Sequence, residues 1–384
     1  MKKETKLIEK GGESQVVYIG IDVHKKQWKV AIYTQLYEYK VFSQDPDPGQ
    51  LYVFLCTHFP GWRYMSVYEA GFCGFWIDAS LSALGIENMV INPADLPESQ
   101  KDRRRKTDTG DARKLAKALR GGFLKGIYCP SSSFQSLRSM VRHRNKLVKS
   151  QTIWKNRIKS YLSLHGVFIS PCWQERNWSG HFLRWLYALP FGDQIQRTTL
   201  ASMLDTLRGI REEITRVNRT LRHLSKEEEH QKILSCLTSV PGIGLTSGWI
   251  IYTELMDLSR FRLRDHLHSY CGLVPDLNQS GERDKGSGIT RRSNRYLRAI
   301  LVEASWQAIR RDPALQTYYQ EQLSRMKAQQ AIIRVAKKLL NRIRKCWVDQ
   351  VPYQINTPAP EATTAPAGVK AAGVEAAGVE RKSA

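Results

Sequence analysis

A chain of 384 residues exceeds one ordinary domain, so two or three compact units are expected. Hydrophobic residues make up 42% and aromatics 10%, enough to fill real cores, which excludes wholesale disorder. Fifty-nine Lys and Arg against 36 Asp and Glu leave a net charge of +23, a field that attracts polyanions and puts nucleic acid first among expected partners. No apolar run approaches the roughly 20 residues that span a bilayer, and the charged N-terminus is no signal peptide. A cytoplasmic protein without membrane partners is therefore expected. Seven cysteines with no CxxC spacing read as reduced thiols rather than as a disulfide framework or a zinc ribbon.

In chain order, a charged N-terminal extension over 1–15 precedes the buried-strand run from Val16 to Asp22. Trp28 to Tyr33 follows at hairpin distance, which predicts an antiparallel pair. A further strand over Tyr64–Tyr68 ends at Glu69, a helix follows near Phe75–Leu84, and Asn88–Ile91 makes another strand. Together with a helix ending near Leu119 these predict an α/β domain over 16–130. From Phe134 to His165 the pattern turns helical, with Met140, Leu147, Trp154 and Tyr161 spaced by sevens. In a second run Leu200, Leu207, Ile214 and Leu221 interleave with Met203, Ile210, Val217 and Leu224. Two long helices with coiled-coil seams are predicted over 131–230, separated by an irregular, Trp-rich stretch from Val167 to Asp193. Such an arm either pairs within the chain or dimerises. Residues 231–350 read as mainly helical, broken by a polar, Gly-rich loop from Asn278 to Gly288. After it comes an Ala, Pro and Gly-rich tail over 351–384, expected to be disordered and dispensable.

Four acids stand out by position. Asp22 closes the first strand, Glu69 closes a later one, and Asp108 and Asp111 sit three apart at the start of a helix. An i, i+3 pair shares a helix face. Carboxylates at strand ends can converge on that face and make an oxygen cage for one or two magnesium ions, which suits phosphoryl transfer. Taken singly, Asp108 reads as a helix cap and Asp22 as a turn residue. As a set on a basic α/β domain, metal ligation is the better reading. The histidines offer little: His24 is taken as merely oriented by its strand.

Basic residues are concentrated. Residues 112–174 hold thirteen Lys or Arg and no acid, and 322–348 hold eight and again no acid. A solvated helical face usually mixes signs. Arg138, Arg142, Lys149 and Arg157 on the first long helix suit contact with phosphates. Arg103, Arg104, Arg105 and Lys106, just before the acid pair, either hold a phosphate near the metals or form a solvated loop. Val240-Pro241-Gly242-Ile243-Gly244 resembles a helix-hairpin-helix turn.

The segments Gly20-Ile21-Asp22-Val23-His24-Lys25-Lys26, Glu69-Ala70-Gly71 and Thr107-Asp108-Thr109-Gly110-Asp111-Ala112 resemble the acidic tetrad of the RuvC-like DEDD insertion-sequence transposases that act as RNA-guided recombinases. Downstream, Val240 to Gly244, Tyr270 to Pro275 and Gly288 to Arg298 are similar to that family's C-terminal transposase domain, and the likeness covers roughly residues 16–320. The resemblance implies an RNase H-like (RuvC-like) N-terminal domain, a coiled-coil insertion and a mostly helical transposase domain, in all an α/β plus α protein. It implies magnesium at Asp22, Glu69, Asp108 and Asp111 and DNA cleavage and rejoining. A structured noncoding guide RNA, and assembly as a dimer or tetramer on donor and target DNA, are implied with them. It also implies a serine nucleophile in a Ser-Gly step, here Ser280-Gly281, with Ser287 as the fallback. Arg291, Arg292 and Arg295 fall in the same domain's basic motif and are expected to contact nucleic acid. The rival readings are a metal-dependent junction nuclease without serine chemistry and an inactive nucleic-acid-binding protein.

Overall fold

The computed structural model describes residues 15–96, 107–173, 178–280, 283–290 and 293–355. The chain divides into two compact units, Met1–Ile214 and Thr215–Ala384.

In the first unit the elements run β1 (Val16–Val23), β2 (Trp28–Tyr33), β3 (Glu38–Gln44), α1 (Pro48–His58), β4 (Arg63–Glu69), α2 (Trp76–Ala83), β5 (Glu87–Ile91) and α3 (Asp108–Arg120). The strands form one mixed sheet in the order β3-β2-β1-β4-β5. β2 is antiparallel to both of its neighbours, while β4 runs parallel to β1 and β5 parallel to β4. Strand alternation divides the core between the two faces of the sheet. Val17, Ile19, Ile21, Tyr64 and Tyr68 pack with Leu51 and Leu55 of α1 and Ile77 and Leu81 of α2. On the opposite face Ala31 and Tyr33 meet Ala112 and Ala116 of α3, and Val67 and Ile91 meet Leu115 and Leu119. Among the described residues α3 is the helix that covers the second face. β3 and α1 are absent from the sequence reading. The outer strand has its first three residues exposed, so the alternation that would reveal it is hidden under Glu38 and Lys40. The Pro48-Gly49 start of α1 reads as a loop, yet Asp47 caps it by accepting from Gly49 N at 2.8 Å.

Two long helices follow, α4 (Ser132–Leu164) and α6 (Gln194–Leu224), with a short helix, α5 (Gly180–Tyr187), between them. The stretch predicted to be irregular thus contains a helix, capped by Ser179 accepting from Phe182 N at 3.2 Å. Ile158 and Leu162 of α4, Phe182 and Leu186 of α5, and Leu200, Leu204 and Leu207 of α6 share one core with Trp178 and Phe191. On α4 the residues spaced by sevens are only half-buried, and Val141, Ile158 and Leu162 are the buried ones. The last two of these face α5 and α6 as one compact cluster.

The second unit is mainly helical: α7 (Glu228–Thr238), α8 (Leu245–Leu255), α9 (Arg264–Tyr270), then β6 (Pro275–Ser280), β7 (Arg283–Ile289), α10 (Arg295–Arg311), α11 (Pro313–Leu323) and α12 (Ala328–Asp349). Along α12, Ile332, Val335, Ala336, Leu339, Leu340 and Ile343 recur at alternating steps of three and one and bury one stripe. The polar, Gly-rich stretch expected to be a loop is instead an antiparallel hairpin in which Pro275 pairs with Ile289 and Ser280 with Arg283. Among the described residues, no helix is long and apolar enough to cross a membrane.

Candidate active site

Three elements bring Asp22, Glu69, Asp108 and Asp111 to one end of one sheet face. In β1 the even positions face α3: a Cβ at Gly20 would lie 2.1 Å from Ala112 O and 2.5 Å from Ala116 N. Asp22, two residues on, shares that face. In β4 Val67 packs against α3, so Glu69 lies on the same face, and the register pairing Ile21 with Tyr68 brings Asp22 and Glu69 to the same end of parallel neighbours. Glu69 is half-buried there. The third element is α3. Its cap is Thr107, whose Oγ1 accepts from Gly110 N at 3.2 Å, so Asp108 does not serve as the cap. Asp108 and Asp111 both stand in the first turn, where the helix dipole favours negative charge.

The side chains meet at Asp22 and Asp108 through a residue the sequence reading discounted. His24 Nε2 lies 3.1 Å from Asp22 Oδ2 and 3.6 Å from Asp108 Oδ2. One ligand atom from each of the three falls within 4.8 Å of the others. The signal was available: Asp22 and His24 are two apart at the end of β1, close enough for their side chains to meet. Asp111 is held by Lys114, with Nζ 3.3 Å from Oδ1. Burial holds the Asp22 carboxyl above the usual aspartate range, His24 works against that shift, and Asp108 and Asp111 add to it. A partly buried carboxyl among further acids is poised to gain from a cation. Oxygen donors of this kind suit a hard divalent ion, and the imidazole adds a nitrogen donor.

At the rim, the turn after Glu69 is pinned by Tyr68 OH donating to Gly74 O at 3.1 Å and Gly74 N donating to Gly71 O at 3.2 Å. It presents an exposed Phe72, with Lys25 Nζ 5.9 Å from the ring centre.

The remaining expected residues are distributed elsewhere. Ser280 is the last residue of β6, in the second unit. Arg103, Arg104, Arg105 and Lys106, and Arg291 and Arg292, lie outside the described residues. Arg295 is exposed in the first turn of α10. Arg138, Arg142, Lys149 and Arg157 lie on α4, with the Arg157 guanidinium 4.8 Å from the Trp154 ring. Lys155 packs 5.6 Å from the Trp178 ring, and partial burial, with Arg211 and Lys159 nearby, lowers its pKa.

Known proteins resemble both units. A family model described as "Transposase", of the DEDD IS110 type, matches residues 19–167, which include all four acids. A second, described as "Transposase IS116/IS110/IS902 family", matches residues 234–320, which include Ser280. A Sinorhizobium fredii protein bearing a transposase name, y4qE, is 29% identical over 62% of this chain and 57% of its own length. A second from that organism, y4rJ, is 29% identical over 71% of this chain and 74% of its own. The transposase for insertion sequence element IS1533 of Leptospira borgpetersenii is 22% identical over 76% and 85%.

Proposed function

We propose that this chain, a transposase of the IS110/IS116/IS902 family, cleaves and rejoins DNA strands using a divalent-metal site on its N-terminal sheet and a serine of its C-terminal domain. The observation that carries the metal site is the approach of Asp22 and Asp108 to a shared His24, on a sheet face where Glu69 and Asp111 also stand. The sheet order, with a three-stranded antiparallel meander followed by two parallel strands, supports reading this unit as RNase H-like. Asp22, Glu69, Asp108 and Asp111 would hold magnesium, with His24 either ligating it or orienting Asp22. The ion would supply charge neutralisation at the phosphate undergoing exchange.

The chain's own residues set the rest. Ser280 Oγ attacks the phosphorus of a DNA phosphodiester, the serine proton leaves, and the departing strand takes up a proton as a free hydroxyl. The phosphoserine ester that remains conserves the bond for attack by the hydroxyl of another strand, so rejoining needs no nucleotide cofactor. Lys25 and Phe72 at the rim of the acid cluster suit a phosphate and a base of the bound strand. The acid-free helix α4 suits phosphate contact with DNA or with a structured noncoding RNA that selects it. Its exposed apolar positions, Ile153 at 51% and Leu164 at 77% exposure, suit pairing with a second copy of the chain. Strand exchange on a DNA substrate tests the metal reading. Asp22→Ala and Asp111→Ala should each abolish exchange while the chain keeps its fold, and full activity in either would remove the metal site from the account.

A further inference from the structure

The hairpin that carries Ser280 belongs to a two-stranded sheet. A lone pair of strands is marginally stable in water, so the aim of such a hairpin is set where it is rooted. Its roots are the segment from Tyr270 to Val274 on one side and Thr290, Ser293 and Asn294 on the other. We infer that Glu254 and Asn294 are positioning residues for the reaction: they lock these two segments together and so fix the base from which Ser280 projects. The inference rests on the assignment of Ser280 as nucleophile.

The geometry is a polar clamp under the hairpin. Thr290 N donates to Val274 O at 3.2 Å, and Asn294 N donates to Tyr270 O at 2.9 Å, so the roots are tied through their backbones. The Asn294 side chain then uses both ends of its carboxamide. Its Oδ1 caps α10, accepting from Tyr296 N at 3.1 Å and Leu297 N at 3.3 Å. Its Nδ2 donates to Glu254 Oε2 at 2.7 Å and reaches the Tyr270 hydroxyl at 3.4 Å. Tyr270 OH in turn donates to Glu254 O at 3.1 Å. Glu254 is 1% exposed, at the end of the almost wholly buried α8. Arg298 braces the second root against α10, donating from Nη2 to Ser293 Oγ at 2.6 Å and to the carbonyl of Thr290. Gly272 permits the approach: its φ is +69°, and a Cβ there would lie 2.4 Å from the Ser293 Cβ.

A buried carboxyl is costly unless its hydrogen bonds are made, and an apolar side chain in that place would pack without the penalty. What directional bonds add is a unique geometry, and here the geometry fixed is that of the hairpin roots. Loss of the clamp should loosen the hairpin more than the helices around it.

Amide hydrogen exchange of residues 276–288 in the full-length protein reads this directly, without requiring activity. Asn294→Asp keeps an oxygen to cap α10 but has no donor for Glu254. It should accelerate hairpin exchange roughly tenfold or more, as expected when a buried hydrogen bond is lost and its acceptor is left facing a second carboxyl, while α8 and α12 keep their protection. In the Glu254→Gln, Asn294→Asp double variant donor and acceptor change places, so hairpin protection should return. Strand exchange should follow the same pattern, with turnover lost and DNA affinity retained in Asn294→Asp and turnover restored in the double variant. Unchanged hairpin exchange in Asn294→Asp would overturn the inference, and so would a double variant no better than the single one. Ser280→Ala separates this from the nucleophile assignment. It should leave hairpin exchange untouched, and strand exchange surviving in it would refute the serine without altering the clamp result.

Discussion

Asp22 shows how the site is built against its own stability. Burial and two neighbouring acids raise its pKa, so its charge is less welcome in the folded chain than in the unfolded one. A carboxylate whose folded pKa lies above its unfolded value subtracts stability once pH exceeds the folded value, and the penalty disappears as pH falls below the unfolded value. At pH 7, with chelator present, Asp22→Asn should therefore unfold at the same temperature as the parent or a higher one. Adding magnesium should raise the Tm of the parent and leave that of the variant unmoved. A variant that melts several degrees lower, yet still responds to magnesium, would contradict the metal assignment. Four acids were legible in the sequence because strand ends and an i, i+3 helix pair are positional signals. His24 was passed over because no second histidine or cysteine lay at ligand spacing, although it follows the end of β1 by one residue and lies only two from Asp22.

At the scale of elements, the site depends on how closely α3 lies on β1. On α3, Asp108 sits one turn before Ala112 and Asp111 immediately before it, and the backbone of Ala112 and Ala116 leaves no room for a Cβ at Gly20. Backbone atoms cannot rotate away as a side chain can. Gly20→Val should push α3 off the sheet, destabilise the first unit by about 1–3 kcal/mol or more, and remove the magnesium-induced rise in Tm. Urea unfolding with and without magnesium measures both effects, and a variant with parental stability and parental magnesium response would show that the close approach is unimportant. Buried runs such as Val16 to Asp22 were legible as strands because apolar sequence reports burial. β3 and the Ser280 hairpin were not, because an exposed edge strand and a polar ribbon carry no apolar alternation to report them. α1 and α5 bury Leu51, Leu55, Phe182 and Leu186, but each is short, and a Pro-Gly start or a Trp-rich surrounding hides its period.

For the whole molecule, the net charge of +23 is distributed unevenly, with thirteen basic residues and no acid over 112–174. If α4 holds nucleic acid through phosphates, affinity must fall steeply with salt. Changing Arg142, Lys149 and Arg157 to Glu should flatten the log-log salt dependence by about 0.7–0.9 per lost contact. An unchanged slope and affinity would assign that surface to a protein partner. The central claim is that one chain both opens and reseals DNA through an enzyme ester, and capture of that ester tests it most directly. Trapping with a nicked DNA substrate, followed by proteolysis and mass spectrometry, should place the adduct on Ser280 and lose it in Ser280→Ala. Strand exchange that persists in the Ser280→Ala, Ser287→Ala double variant, with no adduct on either residue, would contradict it.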